Sequence, residues 1–271
     1  MEIPIPFTSK GKIYRRVEIK KPSPAVLADT KKIADEGNFY FAMQTFISGC
    51  IESLEADDGD QVTSKDIIRQ VVGDMPFRSA DYLSIQMMLK YDGDEGIEGV
   101  YECPRCHKKM ISEVNEKLGI DNRDFISELQ VKKLEGEPDE ITIELDQSVD
   151  ISFGEMNDTI RNMTFRHPNL KDCNRAWSII GSKDQVRYQL QVYVEAMTKL
   201  NGKEVDNTFR KRFGLYIFEK LDVKTDINKI TNALTQYGME TKVKKHCREC
   251  GKEWLAAINT ANFFVSGLQP V

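Results

Sequence analysis

Two Cys-x-x-Cys pairs, Cys103-Pro104-Arg105-Cys106 and Cys247-Arg248-Glu249-Cys250, hold four of the six cysteines in this 271-residue chain. Thiolates are soft ligands, and four of them match the tetrahedral shell that zinc prefers. Two intervening residues permit a tight knuckle that turns both sulfurs to one side. Pro104 stiffens the first knuckle by fixing φ. Gly251 follows the second, where a left-handed residue lets backbone amides point at the sulfurs. The first knuckle has His107 at that place, a residue that enters the left-handed region less readily than glycine. The spacing predicts one closed zinc site built from Cys103, Cys106, Cys247 and Cys250. A four-thiolate zinc keeps no open position for water, so the expected metal is structural and no catalytic residue is expected.

Other uses of these thiols fit less well. A redox dithiol opens a helix in a βαβ unit, and no such alternation is present. Structural disulfides need an oxidising compartment, and no signal-peptide pattern follows Met1. Each knuckle could instead serve a separate intermolecular site. His107 and His246 adjoin ligand positions and could replace a cysteine, although with four thiols present both read as surface residues. Cys50 and Cys173 read as ordinary core thiols.

The knuckles need hairpins to hold them. Gly99-Val100-Tyr101-Glu102 and Lys108-Lys109-Met110-Ile111 flank the first; Thr241-Lys242-Val243-Lys244 and Trp254-Leu255-Ala256-Ala257-Ile258 flank the second. Each set reads as a short hairpin with a knuckle at its tip, the zinc-ribbon pattern. Between Cys106 and Cys247 lie 140 residues. Closing a loop of that length costs about 5 kcal/mol of chain entropy. Zinc in small modules supplies roughly 10–16 kcal/mol of apparent binding free energy. A discontinuous site is therefore stable.

Around the knuckles the chain reads as follows. Residues 1–11 predict an extended arm, because Pro4 and Pro6 forbid a helix while Ile3, Ile5 and Phe7 alternate. The arm could close the protein's own sheet or reach a neighbouring subunit. Residues 12–20 alternate as a strand. Ser23-Pro24 opens a helix that Gly37 stops. The apolar stretch from Phe39 through Phe46, Ile47, Ile51 and Leu54 predicts a buried helix, with docking as the rival reading. Asp57-Asp58-Gly59-Asp60 and residues 92–98 lack EF-hand spacing and read as solvated loops. Ile141–Leu145 and Val149–Phe153 read as the two strands of a hairpin. Val186, Leu190, Tyr193, Met197 and Leu200 lie on one face of a predicted helix that Asn201-Gly202 ends. Asp206 and Asp226 are expected to cap later helices. Beyond the two knuckles no internal repeat is evident.

Composition narrows the function. With 43 acidic and 38 basic side chains the net charge is −5, so nothing pulls the whole chain toward nucleic acid. Basic residues do gather near the knuckles: Arg105, Lys108, Lys109, Lys242, Lys244, Lys245, Arg248 and Lys252. A nucleic-acid-binding zinc-ribbon protein is therefore the alternative, although few aromatics interleave with these charges. Lysines beside thiolates also offset the net charge of a four-thiolate zinc centre. No apolar run has the length of a membrane span, so no membrane is expected. Three histidines, no His-Glu-x-x-His, no Gly-x-Ser-x-Gly and no phosphate-binding glycine loop argue against an enzyme.

The stretch Met75-Pro76-Phe77-Arg78-Ser79-Ala80-Asp81-Tyr82-Leu83, the turn Asp92-Gly93-Asp94, and Tyr101-Glu102 before the first knuckle resemble the T-even-type baseplate hub and hub-assembly proteins of contractile-tailed phages. The second knuckle and Asn262-Phe263-Phe264 fall in the family's later places. The resemblance spans residues 70–268. It departs at His107, where the family has glycine, and in the polar segment 112–140. It implies a non-enzymatic tail protein, acting in hub assembly or as a baseplate component. The implied partners are other tail and hub proteins, with self-association also open. The implied location is the host cytoplasm during virion assembly or the baseplate of the virion. The expected fold is α+β, mainly helical, with a discontinuous four-cysteine zinc ribbon and a small hairpin region. Residues 1–74 would form an N-terminal part and 75–271 a clamped domain, with 141–238 inserted between the knuckles.

Overall fold

A computed structural model describes residues 1–92, 99–112, 131–136, 140–153, 156–181, 184–239, 242–247 and 249–257. The chain begins with a hairpin, β1 (Glu2–Ser9) and β2 (Lys12–Ile19), followed by helices α1 (Pro24–Asp35) and α2 (Phe39–Cys50). A second hairpin, β3 (Ile51–Ala56) and β4 (Gln61–Val62), completes a sheet of order β1-β2-β3-β4. Helices α3 (Lys65–Gly73) and α4 (Phe77–Asp92) follow, then β5 (Gly99–Glu102) and β6 (Lys109–Ser112) carry the first knuckle.

After the short strand β7 (Val131–Lys132) the same order recurs. A hairpin of β8 (Ile141–Phe153) and β9 (Met156–Phe165) leads to α5 (Leu170–Ile180) and α6 (Gln185–Ala196). The hairpin β10 (Met197–Leu200) and β11 (Lys203–Glu204) completes a sheet of order β11-β10-β9-β8. Helical turns α7 (Asn207–Phe209) and α8 (Leu215–Lys220) are joined by a π turn, and a second π turn precedes α9 (Asn228–Thr235). Strand β12 (Gly238–Met239) pairs with β7, and β13 (Lys242–His246) with β14 (Glu253–Ala257) carries the second knuckle.

The chain is therefore an internal duplication. Residues 12–54 lie on residues 158–200 without insertion or deletion. The pairs Glu18↔Ser53 and Val17↔Leu54 of one sheet become Thr164↔Lys199 and Met163↔Leu200 of the other. Both sheets carry a bulge at the same place in the first strand. Glu2 and Phe7 pair with Arg16 and Tyr14, while Glu144 and Val149 pair with Asn162 and Ile160. In both copies a helix passes into a strand with no loop: Ile51 (φ −80°, ψ 131°) follows Cys50, and Met197 (φ −68°, ψ 127°) follows Ala196. The sequence hides this repeat because the equivalent residues share burial and not identity. Val17 and Met163 are both buried, as are Ile51 and Met197. Arg15/Arg161 and Leu54/Leu200 are among the few positions unchanged between the copies.

Each copy has its own apolar core. One gathers Ile3, Phe7, Phe46, Ile47 and Leu54 with Met75, Leu83 and Met87. The other gathers Ile143, Ile160, Phe165, Tyr193, Phe218 and Leu234. Position 74 sits between α3 and α4, both of which line the first core. The fold is α+β, but antiparallel strands take a larger share than the mainly helical expectation.

The N-terminal arm is part of the protein's own sheet. Pro4 and Pro6 cannot donate to a ladder, so β1 is an edge strand and bulges where they fall. The Ser79 hydroxyl of α4 takes over, accepting from the Ile5 amide at 3.0 Å and donating to the Ile5 carbonyl at 3.2 Å. Phe39 to Cys50 forms the expected buried helix, but Ile51 and Leu54 belong to β3. The apolar face drawn through Val186 and Leu200 likewise crosses from α6 into β10, and Val186 is 70% exposed. Asn201 (φ 48°) and Gly202 (φ 76°) make a hairpin turn and do not end the helix. The predicted hairpin within 141–153 is one bulged strand; Asp146-Gln147-Ser148 are turn formers that here fill the bulge. Asp206 caps α7 as expected, whereas Asp222, not Asp226, caps the following turn. Buried Asp226 instead accepts from the Asp146 amide at 2.8 Å.

Candidate metal centre

Both knuckles close with the same backbone bonds. The His107 amide donates to the Cys103 carbonyl at 2.9 Å, and the Gly251 amide to the Cys247 carbonyl at 2.8 Å. The Cys103 and Cys247 amides donate to the carbonyls of Lys108 and Lys252, at 3.0 and 2.8 Å. This turn requires a left-handed residue after the second cysteine. Gly251 has φ 68° and His107 has φ 57°, so histidine takes the glycine conformation. The imidazole Nδ1 of His107 lies 2.8 Å from the Glu102 carboxylate, which holds the ring away from the sulfurs. His246 faces Glu253 at 3.8 Å.

The knuckles meet face to face. Cys103 Sγ lies 3.6 Å from Cys250 Sγ, and Cys106 Sγ lies 3.6 Å from Cys247 Sγ. All four sulfurs lie within 4.8 Å of one another and could hold a metal ion. The spacing decides between covalent and coordinate bonding. A disulfide needs about 2.05 Å between sulfurs, whereas a tetrahedron with metal–sulfur bonds of about 2.3 Å sets them about 3.8 Å apart. Exchanging the two copies maps each of these sulfur pairs onto the other, so the site has local two-fold character. Cys103 and Cys247 are buried, Cys250 is half-buried and Cys106 is exposed.

The thiol chemistry is that of a crowded ligand set. Burial pushes the Cys103 thiol up, but hydrogen bonds from the Cys106 and Arg105 amides and from neighbouring thiols bring it down to about 6. At Cys106 the Lys108 amide favours the thiolate, yet burial and the three other sulfurs together leave it raised. One thiolate thus forms readily and resists a second beside it, the state that a divalent cation relieves. Lys108 reaches across to Glu249 of the other knuckle at 2.8 Å. It is a link between the knuckles and less available to phosphate. Cys50 and Cys173 lie elsewhere in the cores, and burial raises both thiols.

The segment Met75–Leu83 joins the copies, a role its sequence did not announce. Met75 is fully buried, and its carbonyl accepts from the Leu170 amide at 3.1 Å. Pro76 forms a β-bridge to Asn169, and the Phe77 amide donates to the Pro168 carbonyl at 2.9 Å. Arg78 donates to the carbonyls of Tyr237 and Met239, against a Gly238 whose φ of 93° excludes a side chain there. Trp254 on the second knuckle hairpin packs on the first core. The acidic turn at 57–60 is ion-paired internally: Lys12 pairs with Asp58 and Asp60, and Arg15 with Asp57. Residues 93–98, Arg248 and the Asn262-Phe263-Phe264 landmark lie outside the described residues.

Among the described residues no helix is long and apolar enough to cross a membrane. Comparison with protein-family models, with curated proteins and with solved structures finds no match.

Proposed function

We propose that this chain is a non-enzymatic assembly protein whose four-cysteine centre holds one structural zinc ion that clasps its two copies together. The observation that carries the zinc reading is the paired 3.6 Å sulfur spacing between knuckles from opposite halves of the chain. Four thiolates suit zinc and reject hard cations such as magnesium and calcium, and a closed shell leaves no site for substrate water. Within that reading we place the protein in the baseplate hub of a contractile phage tail, as an assembly factor or a component. The support is the order and spacing of Met75–Leu83, the knuckles and the aromatic tail. The partners are then other tail proteins, met in the host cytoplasm or in the finished baseplate.

Metal analysis of the purified chain should give one zinc per chain, and serine at any of the four cysteines should abolish it. Undiminished stability in a metal-free protein would sink the clasp. Co-purification with tail proteins tests the placement. Tight DNA binding that falls steeply with salt, without a tail partner, would instead favour the nucleic-acid alternative.

A further inference from the structure

The duplication supplies an internal template, because one bulged edge strand is covered by a further segment and, among the described residues, no such segment lies along its counterpart. On β1 the covering segment is residues 131–136. Lys133 pairs with Glu2, the Leu134 amide donates to the Pro4 carbonyl at 2.8 Å, and Arg15 donates to the Gly136 carbonyl at 2.6 Å. Residues 3–6 of the bulge are all buried beneath it and α4.

On β8 the register places Glu144 where β1 has Glu2, and on β9 it places Arg161 where β2 has Arg15. Both are exposed, and among the described residues neither side chain has an ion-pair or hydrogen-bond partner. The equivalent bulge, residues 145–148, has three exposed positions and none fully buried. Beside it Arg161, Asn162 and Asn201 line an open cleft of about 770 Å³. The second copy thus keeps the carboxylate and the guanidinium that anchor a covering segment in the first copy, and among the described residues no segment occupies them.

We propose that the β8 edge is a docking slot for an extended, lysine-bearing segment of a partner protein. The segment adds along the bulge as residues 131–136 add along β1. Its lysine pairs with Glu144, one of its amides donates to the Asp146 carbonyl, and one of its carbonyls accepts from Arg161. Main-chain bonds supply affinity and the charges set register, as in other strand-addition complexes. The polar bulge, where Asp146 is already paired with Lys229 and Gln147 and Ser148 are exposed, selects a more polar segment than the apolar Ile3-Pro4-Ile5-Pro6 bulge does. This slot is independent of the zinc and of the tail assignment.

The test uses the full chain and a labelled peptide with the sequence of residues 129–136. Fluorescence anisotropy should show saturable binding, and hydrogen exchange should slow at 144–150 and 158–162. Glu144→Lys should weaken binding at least tenfold, and a peptide with glutamate for its second lysine should restore it. Arg161→Ala, which removes an exposed side chain, should weaken binding without that rescue. No binding at millimolar peptide, or binding indifferent to Glu144→Lys, overturns the proposal. Self-association abolished by Glu144→Lys would give the slot to a second copy and overturn it as well.

Discussion

Removing one knuckle should cost as much as removing both. In the variant Cys103→Ser with Cys106→Ser, the second knuckle keeps two thiols, too few for a closed tetrahedral site. The clasp then opens entirely. Only the joined state binds the zinc, so its loss forfeits roughly 10–16 kcal/mol of binding less the about 5 kcal/mol spent closing the loop, a net of roughly 5–11 kcal/mol. Loss of either knuckle should therefore destabilise the joined state by about that amount. Cys247→Ser with Cys250→Ser should match it, and the quadruple variant should fall no further. Two independent sites would instead give losses that add in the quadruple variant. The assay is urea unfolding followed by circular dichroism, with metal content measured on the same samples. One zinc retained in either double variant, or additive losses, would refute the shared site.

Other outcomes follow from single contacts. Chelation should free the knuckles and make Cys103, Cys106, Cys247 and Cys250 available to iodoacetamide, while Cys50 and Cys173, fixed in the apolar cores with their thiols raised by burial, stay unlabelled in the folded protein; mass spectrometry reads this directly. Asp172→Asn should destabilise the chain by about 1–3 kcal/mol in a denaturant titration, because it removes the charged acceptor of several hydrogen bonds while Arg166, 36% exposed, stays partly solvated. Asp172 is fully buried, accepts from Arg166 at 2.7 Å, and also receives the Asn169 amide at 2.9 Å. Burial lowers the pKa of His167 below its ordinary value. The unfolded chain then binds the extra proton first, so this histidine's contribution to stability is lost as pH falls through about 6.5. His167→Gln should flatten the dependence of Tm on pH between about 7 and 5; an unchanged slope would remove His167 from the account. Gly214→Ala should cost about 1–3 kcal/mol by overpacking, since a methyl there would sit 2.3 Å from Val194 Cγ1; an unaltered melting temperature would show that Val194 yields.

The knuckles could be read from sequence because their geometry is local: two cysteines, two spacers and one left-handed residue. Even the odd member, His107, adopts the conformation its position demands. The helix caps at Ser23 and Asp206 were legible for the same reason. What escaped was non-local. No periodicity marks the passage from α6 to β10, because Ala196 and Met197 are both buried and no turn former separates them. Asp146-Gln147-Ser148 have turn chemistry, and only pairing with β9 makes them a bulge. The duplication was hidden deepest. Phe39 and Gln185 open equivalent helices, and Ser53 and Lys199 hold equivalent places in a ladder. There the two copies share backbone register while their side chains differ.

A metal site split between distant halves also imposes an order in time. The first dithiol leaves the ribosome with no partner, and 140 residues must follow before Cys247 appears. At synthesis rates of roughly 5–20 residues per second, that is a wait of roughly 7–28 s. Throughout it the first copy presents a half-filled coordination shell to its surroundings, and its core still awaits Met239 and Trp254. On a polysome, the nearest complementary half-shell belongs to a neighbouring nascent chain. Under the proposed zinc reading, rapid expression should favour metal-bridged pairs of chains, and slow expression the self-closed monomer.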